Sequence, residues 1–129
     1  MEQKVYDYLK KNYPADTLDW VKDAKWELRD VPLATVDMMR RPGGRNMEKV
    51  RAIAGDVRDG KVMEPIVLVD TPKGRKIADG YHRTLGIKHA GKKTVKAYIA
   101  KVDIVDGPWN TEMHAKKKNV LPGKVAMTQ

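Results

Sequence analysis

Four consecutive β-formers, Ile66-Val67-Leu68-Val69, stand between Pro65 and the turn-forming run Asp70-Thr71-Pro72-Lys73-Gly74, and they constrain the fold more tightly than any other stretch. A run that is apolar at odd and even positions has no face to give to water, so it reads as a strand buried in the middle of a sheet. The turn residues send the chain back, which makes Arg75 to Ala78 the returning strand. Asp79-Gly80 breaks that strand, and Tyr81 to Ala90 is predicted as a helix closed by Gly91. Thr94 to Val102 is a further strand, with Val95, Ala97 and Ile99 alternating against Lys96, Tyr98 and Ala100.

Upstream of the buried run lies the clearest helix of the chain. Met47, Val50, Ile53, Ala54 and Val57 recur every three or four residues, Asn46 is placed to cap the start, and Gly60 lies just past the end. Trp26 to Leu33 alternates loosely and contains Pro32, which suits an edge strand. Residues 3–12 read as a short helix carrying Val5, Tyr6, Leu9 and Tyr13 near one side and ended by Pro14. A second helix, capped by Asp16 or Thr17, carries Leu18, Val21 and Ala24. The aromatic side chains of this region, Trp20 included, read as packing groups rather than base-stacking groups. The expected layout is an N-terminal helical extension over 1–25, a small α/β (α+β) domain over 26–106, and a basic tail over 107–129. The domain has a compact mixed sheet and flanking helices. A chain of 129 residues suits one domain with an appendage.

Composition narrows the chemistry. Without cysteine there are no disulfides, thiolate metal sites or cysteine nucleophiles. No apolar stretch approaches the roughly 18 residues of a membrane span, and no apolar segment follows Met1-Glu2-Gln3-Lys4, so the expected location is cytoplasmic with no membrane partner. The formal net charge is +9 and is unevenly spread. It is −1 over 1–30, +1 over 31–70, +6 over 71–107 and +3 over 108–129. Such a bias favours phosphorylated ligands or polyanions, including nucleic acid held by the basic C-terminal half.

The charged half contains the sequence Asp79-Gly80-Tyr81-His82-Arg83-Thr84 between a strand and a helix. A helix start offers backbone N–H groups and a partial positive charge. Gly80 would let a ligand reach that backbone, Arg83 would add a fixed charge, and His82 can donate or accept a hydrogen bond near neutral pH. Gly80, Tyr81, His82, Arg83 and Thr84 are therefore the candidate phosphate-binding residues, joined by Arg41 and Arg45 from the Arg40–Arg45 loop. Asp79 could bind a Mg²⁺ accompanying a phosphate or cap the helix. Asp79, His82 and Glu48 are the candidate catalytic groups, with Glu64 an alternative to Glu48 as a general base. His82 and His89 alone make a poor metal site.

Taken together, these segments resemble the ParB/sulfiredoxin superfamily, including the domain often called ParB-like nuclease. The resemblance covers residues 31–102. Val31-Pro32-Leu33 with Val36 is similar to the family's opening strand, and Arg41-Pro42-Gly43-Gly44-Arg45 stands at its Asn/Pro/Arg-rich first box. The helix over 47–58, Gly60 and Glu64-Pro65-Ile66-Val67-Leu68 follow in family order. Ile77-Ala78-Asp79-Gly80-Tyr81-His82-Arg83 then resembles the signature box. The resemblance implies nucleotide-phosphate binding, with ATP or CTP and Mg²⁺ as the cofactors to expect and NTP hydrolysis or phosphotransfer as the activity. Gly80 and Arg83 match the Gly-Glu-Arg-Arg box of ParB proteins. Gly80, His82 and Arg83 match the sulfiredoxin box, but Tyr81 replaces its reacting cysteine, which excludes sulfinic acid reduction. Asp79, Gly80 and Arg83 are similar to the box of free-serine kinases. A nucleic-acid-binding or nicking protein, of the kind found among phage and mobile-element genes, is the alternative, as is an inactive accessory protein. The 24 residues after Val105 are too few for the helix-turn-helix and dimerisation domains of a partition protein, so an isolated module is expected.

Overall fold

The computed structural model describes residues 3–11, 13–38 and 46–103. Its centre is a mixed four-stranded sheet in the order β1-β4-β2-β3. The strands are β1 (Glu27–Pro32), β2 (Ile66–Thr71), β3 (Gly74–Asp79) and β4 (Thr94–Lys101). β2 and β3 form an antiparallel hairpin closed at Thr71 and Gly74, β4 lies parallel to β2, and β1 pairs antiparallel with β4 at the edge. The apolar run Ile66–Val69 is buried in the interior of the sheet, as its pattern demands. Ile66 and Leu68 belong to one core and Val67 and Val69 to the other, one on each face.

Two helices cover the first face. α3 (Met47–Arg58) starts at Asn46, whose side-chain oxygen accepts from the Lys49 backbone N–H at 3.0 Å. α4 (Tyr81–His89) packs beside it. Their contact is closest at Gly86, where an added Cβ would stand 2.4 Å from Ile53 Cγ2 and 2.6 Å from Ile53 Cβ. Any side chain there would force the helices apart. Val31, Leu33, Ile66, Leu68, Ile87, Val95, Ala97 and Ile99 make up the core beneath them.

The second face is covered by the N-terminal segment. Val5 and Leu9 of α1 (Gln3–Lys10), with Tyr13, Leu18 and Val21, pack on Val67, Val69, Ala78, Tyr98 and Val102. Leu9 and Leu18 are essentially fully buried, and each such side chain stabilises the fold by about 1.5–3 kcal/mol. The Tyr13 hydroxyl donates to the Ala78 carbonyl at 2.8 Å, and the Trp26 indole N–H donates to the Val21 carbonyl at 3.1 Å.

The second helix contracts to a 3₁₀ turn (Ala15–Thr17) and one helical turn, α2 (Trp20–Asp23). The Thr17 hydroxyl donates back to the Pro14 carbonyl at 2.7 Å and so does not cap a following helix. In β4, Tyr98 and Ala100 are buried as well as Val95, Ala97 and Ile99, and Tyr98 packs in the core that the N-terminal segment covers. Among the described residues no helix is long and apolar enough to cross a membrane.

Candidate functional site

β3 ends at Asp79 and α4 begins at Tyr81, so Gly80 must turn the chain within one residue. It does so at φ 101°, ψ 31°, a left-handed conformation that favours glycine. Its missing side chain has a second consequence. An added Cβ would lie 2.6 Å from Ile66 Cγ2 and 2.9 Å from Ile66 Cβ. The space beside Gly80 therefore belongs to the core side chain of Ile66 and is not an approach for a ligand, as the sequence had suggested. Thr84 is a further correction. It is fully buried, and its hydroxyl donates to the Gly80 carbonyl at 2.7 Å, so it fastens the turn and does not face a phosphate.

Arg83 lies one turn into α4, and its Nη2 donates to Asp79 Oδ2 at 3.0 Å and to the Pro65 carbonyl at 3.3 Å. The two side chains are 25% and 13% exposed. The guanidinium expected to await an anion thus already has one, and Asp79, expected as metal ligand or cap, is its counter-ion. The pair leaves a remainder. Arg83 Nε is buried and has no hydrogen-bond partner among the described residues. A buried donor left so costs about 1–3 kcal/mol, and such groups call for an explanation.

The next two residues sit at the same corner. The Tyr81 and His82 rings meet edge-on with centroids 5.6 Å apart, and the Tyr81 hydroxyl is buried. Glu48 is not brought here by any contact. It is exposed in the first turn of α3, where a carboxylate favours the helix start, and makes no hydrogen bond or ion pair among the described residues. Arg41 and Arg45 lie outside the described residues.

One residue of this corner was missed by sequence reasoning. Tyr8, on α1, has its hydroxyl pKa pushed up from the usual phenol value. Burial is the first cause, followed by the charge of Glu64, by Tyr98 and by Asp79, while Arg83 pulls the other way. The N-terminal segment therefore brings Tyr8 within electrostatic reach of the 79–83 turn and of Glu64. No local motif announces this, since Tyr8 is some seventy residues from the turn in sequence. The Asp79–Arg83 pair did carry a signal, the i,i+4 spacing of opposite charges.

An anion fits the site better than a protein-held metal. The buried Nε, the guanidinium and the helix start all suit negative charge. Among the described residues no three His, Asp or Glu side chains converge to hold a metal ion, and Asp79 is already paired with Arg83.

No protein-family model matches the chain, and none of the curated proteins is matched. Solved structures do match. The C-terminally truncated chromosome-partitioning protein ParB from Caulobacter crescentus, complexed with CTP-γ-S, superimposes with a TM-score of 0.50 at 20% identity. The match takes in 80% of this chain and 55% of that one, so this chain spans just over half the length of the truncated ParB chain. Sulfiredoxin from Arabidopsis thaliana matches with a TM-score of 0.49 at 21% identity, over 60% of this chain and 88% of that one. The chain has a ParB/sulfiredoxin-like α+β fold, as the order of its sequence boxes implied.

Proposed function

We propose that the protein is a nucleotide-binding module that receives phosphate groups at the start of α4. The observation that carries this reading is the buried Nε of Arg83, a donor without a partner among the described residues, on a guanidinium held by the Asp79 carboxylate and the Pro65 carbonyl at a helix N-terminus. Asp79 acts as a resident counter-ion, and a phosphate oxygen takes its place on Arg83. His82, beside the turn, offers a further hydrogen bond. ATP or CTP is the nucleotide to test, and Mg²⁺ arrives on the phosphates rather than on a cluster of carboxylates. The CTP-γ-S bound to the ParB relative supports the ligand class. Phosphotransfer or hydrolysis would draw on Asp79 and His82, the two groups of the turn able to take a proton.

Thermal shift and calorimetric titration with CTP, ATP and inorganic tripolyphosphate, with and without Mg²⁺, test the reading. Ligand at about one hundred times its Kd stabilises the fold by about 2.7 kcal/mol, and Arg83→Ala, at the same ligand concentration, cuts this to about 0.4–1.4 kcal/mol. Absence of any shift with all three ligands overturns it.

A second reading, binding of nucleic-acid backbone, is favoured by one surface feature. Arg58, Lys88, Lys92 and Lys93 are exposed where α3 and α4 end, and Arg58 Nη2 donates to the His89 carbonyl at 2.7 Å, joining the two helix ends. Binding there would be independent of base sequence and would weaken steeply with salt. Fluorescence anisotropy that finds no binding at low ionic strength removes it.

A further inference from the structure

The N-terminal segment does more at this corner than cover apolar sheet. Register sets Tyr98, Val67 and Asp79 in one row across β4, β2 and β3. Neighbouring strands lie about 4.8 Å apart, so two strand spacings, roughly 10 Å, separate the backbone of Tyr98 from that of Asp79. The Tyr8 ring stands over Tyr98 with centroids 6.4 Å apart and planes tilted by 43°. Asp79 in turn holds Arg83, and Arg83 reaches the Pro65 carbonyl next to Glu64. An aromatic wall and the proposed phosphate-binding guanidinium thus belong to one corner of the molecule.

Tyr8 is not a simple core residue. Val5 and Leu9 fill the interior beneath α1, whereas Tyr8 is only half-buried on the flank of that helix. Tyr98 backs its ring, and the exposed Lys11 lies with Nζ 5.7 Å from the ring centroid. An aromatic face that attracts a flexible surface lysine is one that protein packing has left accessible. A nucleotide couples a flat aromatic base to an anionic tail, and the corner offers one receptor for each.

We infer that Tyr8, backed by Tyr98, is the platform on which the base of the bound nucleotide stacks, while Arg83 holds the phosphates. This rests on the phosphate reading above. Stacking tolerates any base, so the platform selects nucleotides over bare phosphates without choosing strongly among bases. Lys11 then lies beside the stack and neutralises part of the ligand's charge.

Calorimetric titration of wild type, Tyr8→Phe, Tyr8→Leu and Tyr8→Ala with CTP, ATP and inorganic tripolyphosphate tests the inference, with the thermal midpoint recorded for each variant. The wild type should bind both nucleotides roughly tenfold or more tighter than tripolyphosphate. Tyr8→Phe should keep that preference. Tyr8→Leu, which preserves apolar bulk, should lose it while binding tripolyphosphate as the wild type does, and so should Tyr8→Ala where it remains folded. A wild type that binds tripolyphosphate as tightly as nucleotides overturns the platform alone. So does a Tyr8→Leu protein that retains the nucleotide preference. A wild type that binds none of the three overturns the phosphate reading and the platform together.

Discussion

Two arginines on neighbouring elements each pair with an aspartate, and they do so differently. Arg75 on β3 donates through Nε to Asp70 Oδ1 at 2.7 Å and through Nη2 to Asp70 Oδ2 at 3.1 Å, while Nη1 donates to the Thr35 hydroxyl at 2.8 Å. Every nitrogen of its fork has a protein acceptor. The Asp70 hydrogen bond raises the Arg75 pKa above its ordinary value against the opposing effect of burial. Around it the Asp37 N–H donates to the Arg75 carbonyl at 2.9 Å, and Lys76 pairs with the Asp37 carboxylate, so the 33–38 segment is tied to the sheet edge. Arg83 makes both of its contacts through one nitrogen and buries Nε without an acceptor among the described residues. A saturated fork fixes structure. An unsaturated fork has capacity for another anion, and the difference separates a structural arginine from the one proposed to bind phosphate.

Substitution separates the two forks, and the largest effect should come from Gly80, which joins Asp79 to α4. Gly80→Ala must adopt a left-handed conformation and displace Ile66, so the thermal or denaturant midpoint should report a loss of about 2–4 kcal/mol. Next comes Arg83→Ala, for which titration with nucleotide should give a ten- to hundredfold weaker Kd, since a hydrogen bond to a charged group is worth about 1.5–3 kcal/mol. Its melting point should fall as well, because Asp79 loses its counter-ion, and the double variant Asp79→Ala/Arg83→Ala should recover stability without recovering binding. Arg75→Ala should lower stability by about 1 kcal/mol, a figure held down by the 36% exposure of the Asp70 side chain, and should leave nucleotide affinity unchanged. If Arg75→Ala instead weakens the ligand as much as Arg83→Ala, the distinction between the two forks fails. The smallest effect is expected from Asp79→Asn, which removes the competing charge from Arg83 and should tighten binding of tripolyphosphate by about a few-fold in calorimetry without Mg²⁺.

Much of the architecture was legible because local rules and the fold agree. α3 carries its own apolar stripe and its own cap at Asn46, and β2 announces a central position by having no polar face. The misreadings occur where distant chain decides. The second helix shrinks to a 3₁₀ turn and a single helical turn, because Leu18 and Val21 are held by a sheet core whose residues lie some fifty to eighty positions later. Gly80 was visible as a special residue, yet its neighbour Ile66 could not be seen from spacing, so the reason for the glycine was assigned to a ligand instead of the core. Thr84 follows the same logic, since its place one turn after Gly80 turns its hydroxyl back onto that carbonyl. Tyr8 was grouped with packing aromatics because nothing within α1 records what lies opposite it.

The hydrogen bond from Tyr13 to Ala78 joins residues 65 positions apart, and the same core needs Tyr98 and Val102. α1 therefore lacks part of the surface it settles on until β4, the last of these strands in chain order, has left the ribosome. Local helices such as α3 can form early, but this half of the interior has to wait for long-range closure, which slows folding and leaves apolar side chains waiting in the nascent chain. A protein arranged this way acquires its proposed base platform as one of its final folding events, so the proposed nucleotide binding would serve as a readout of completed folding.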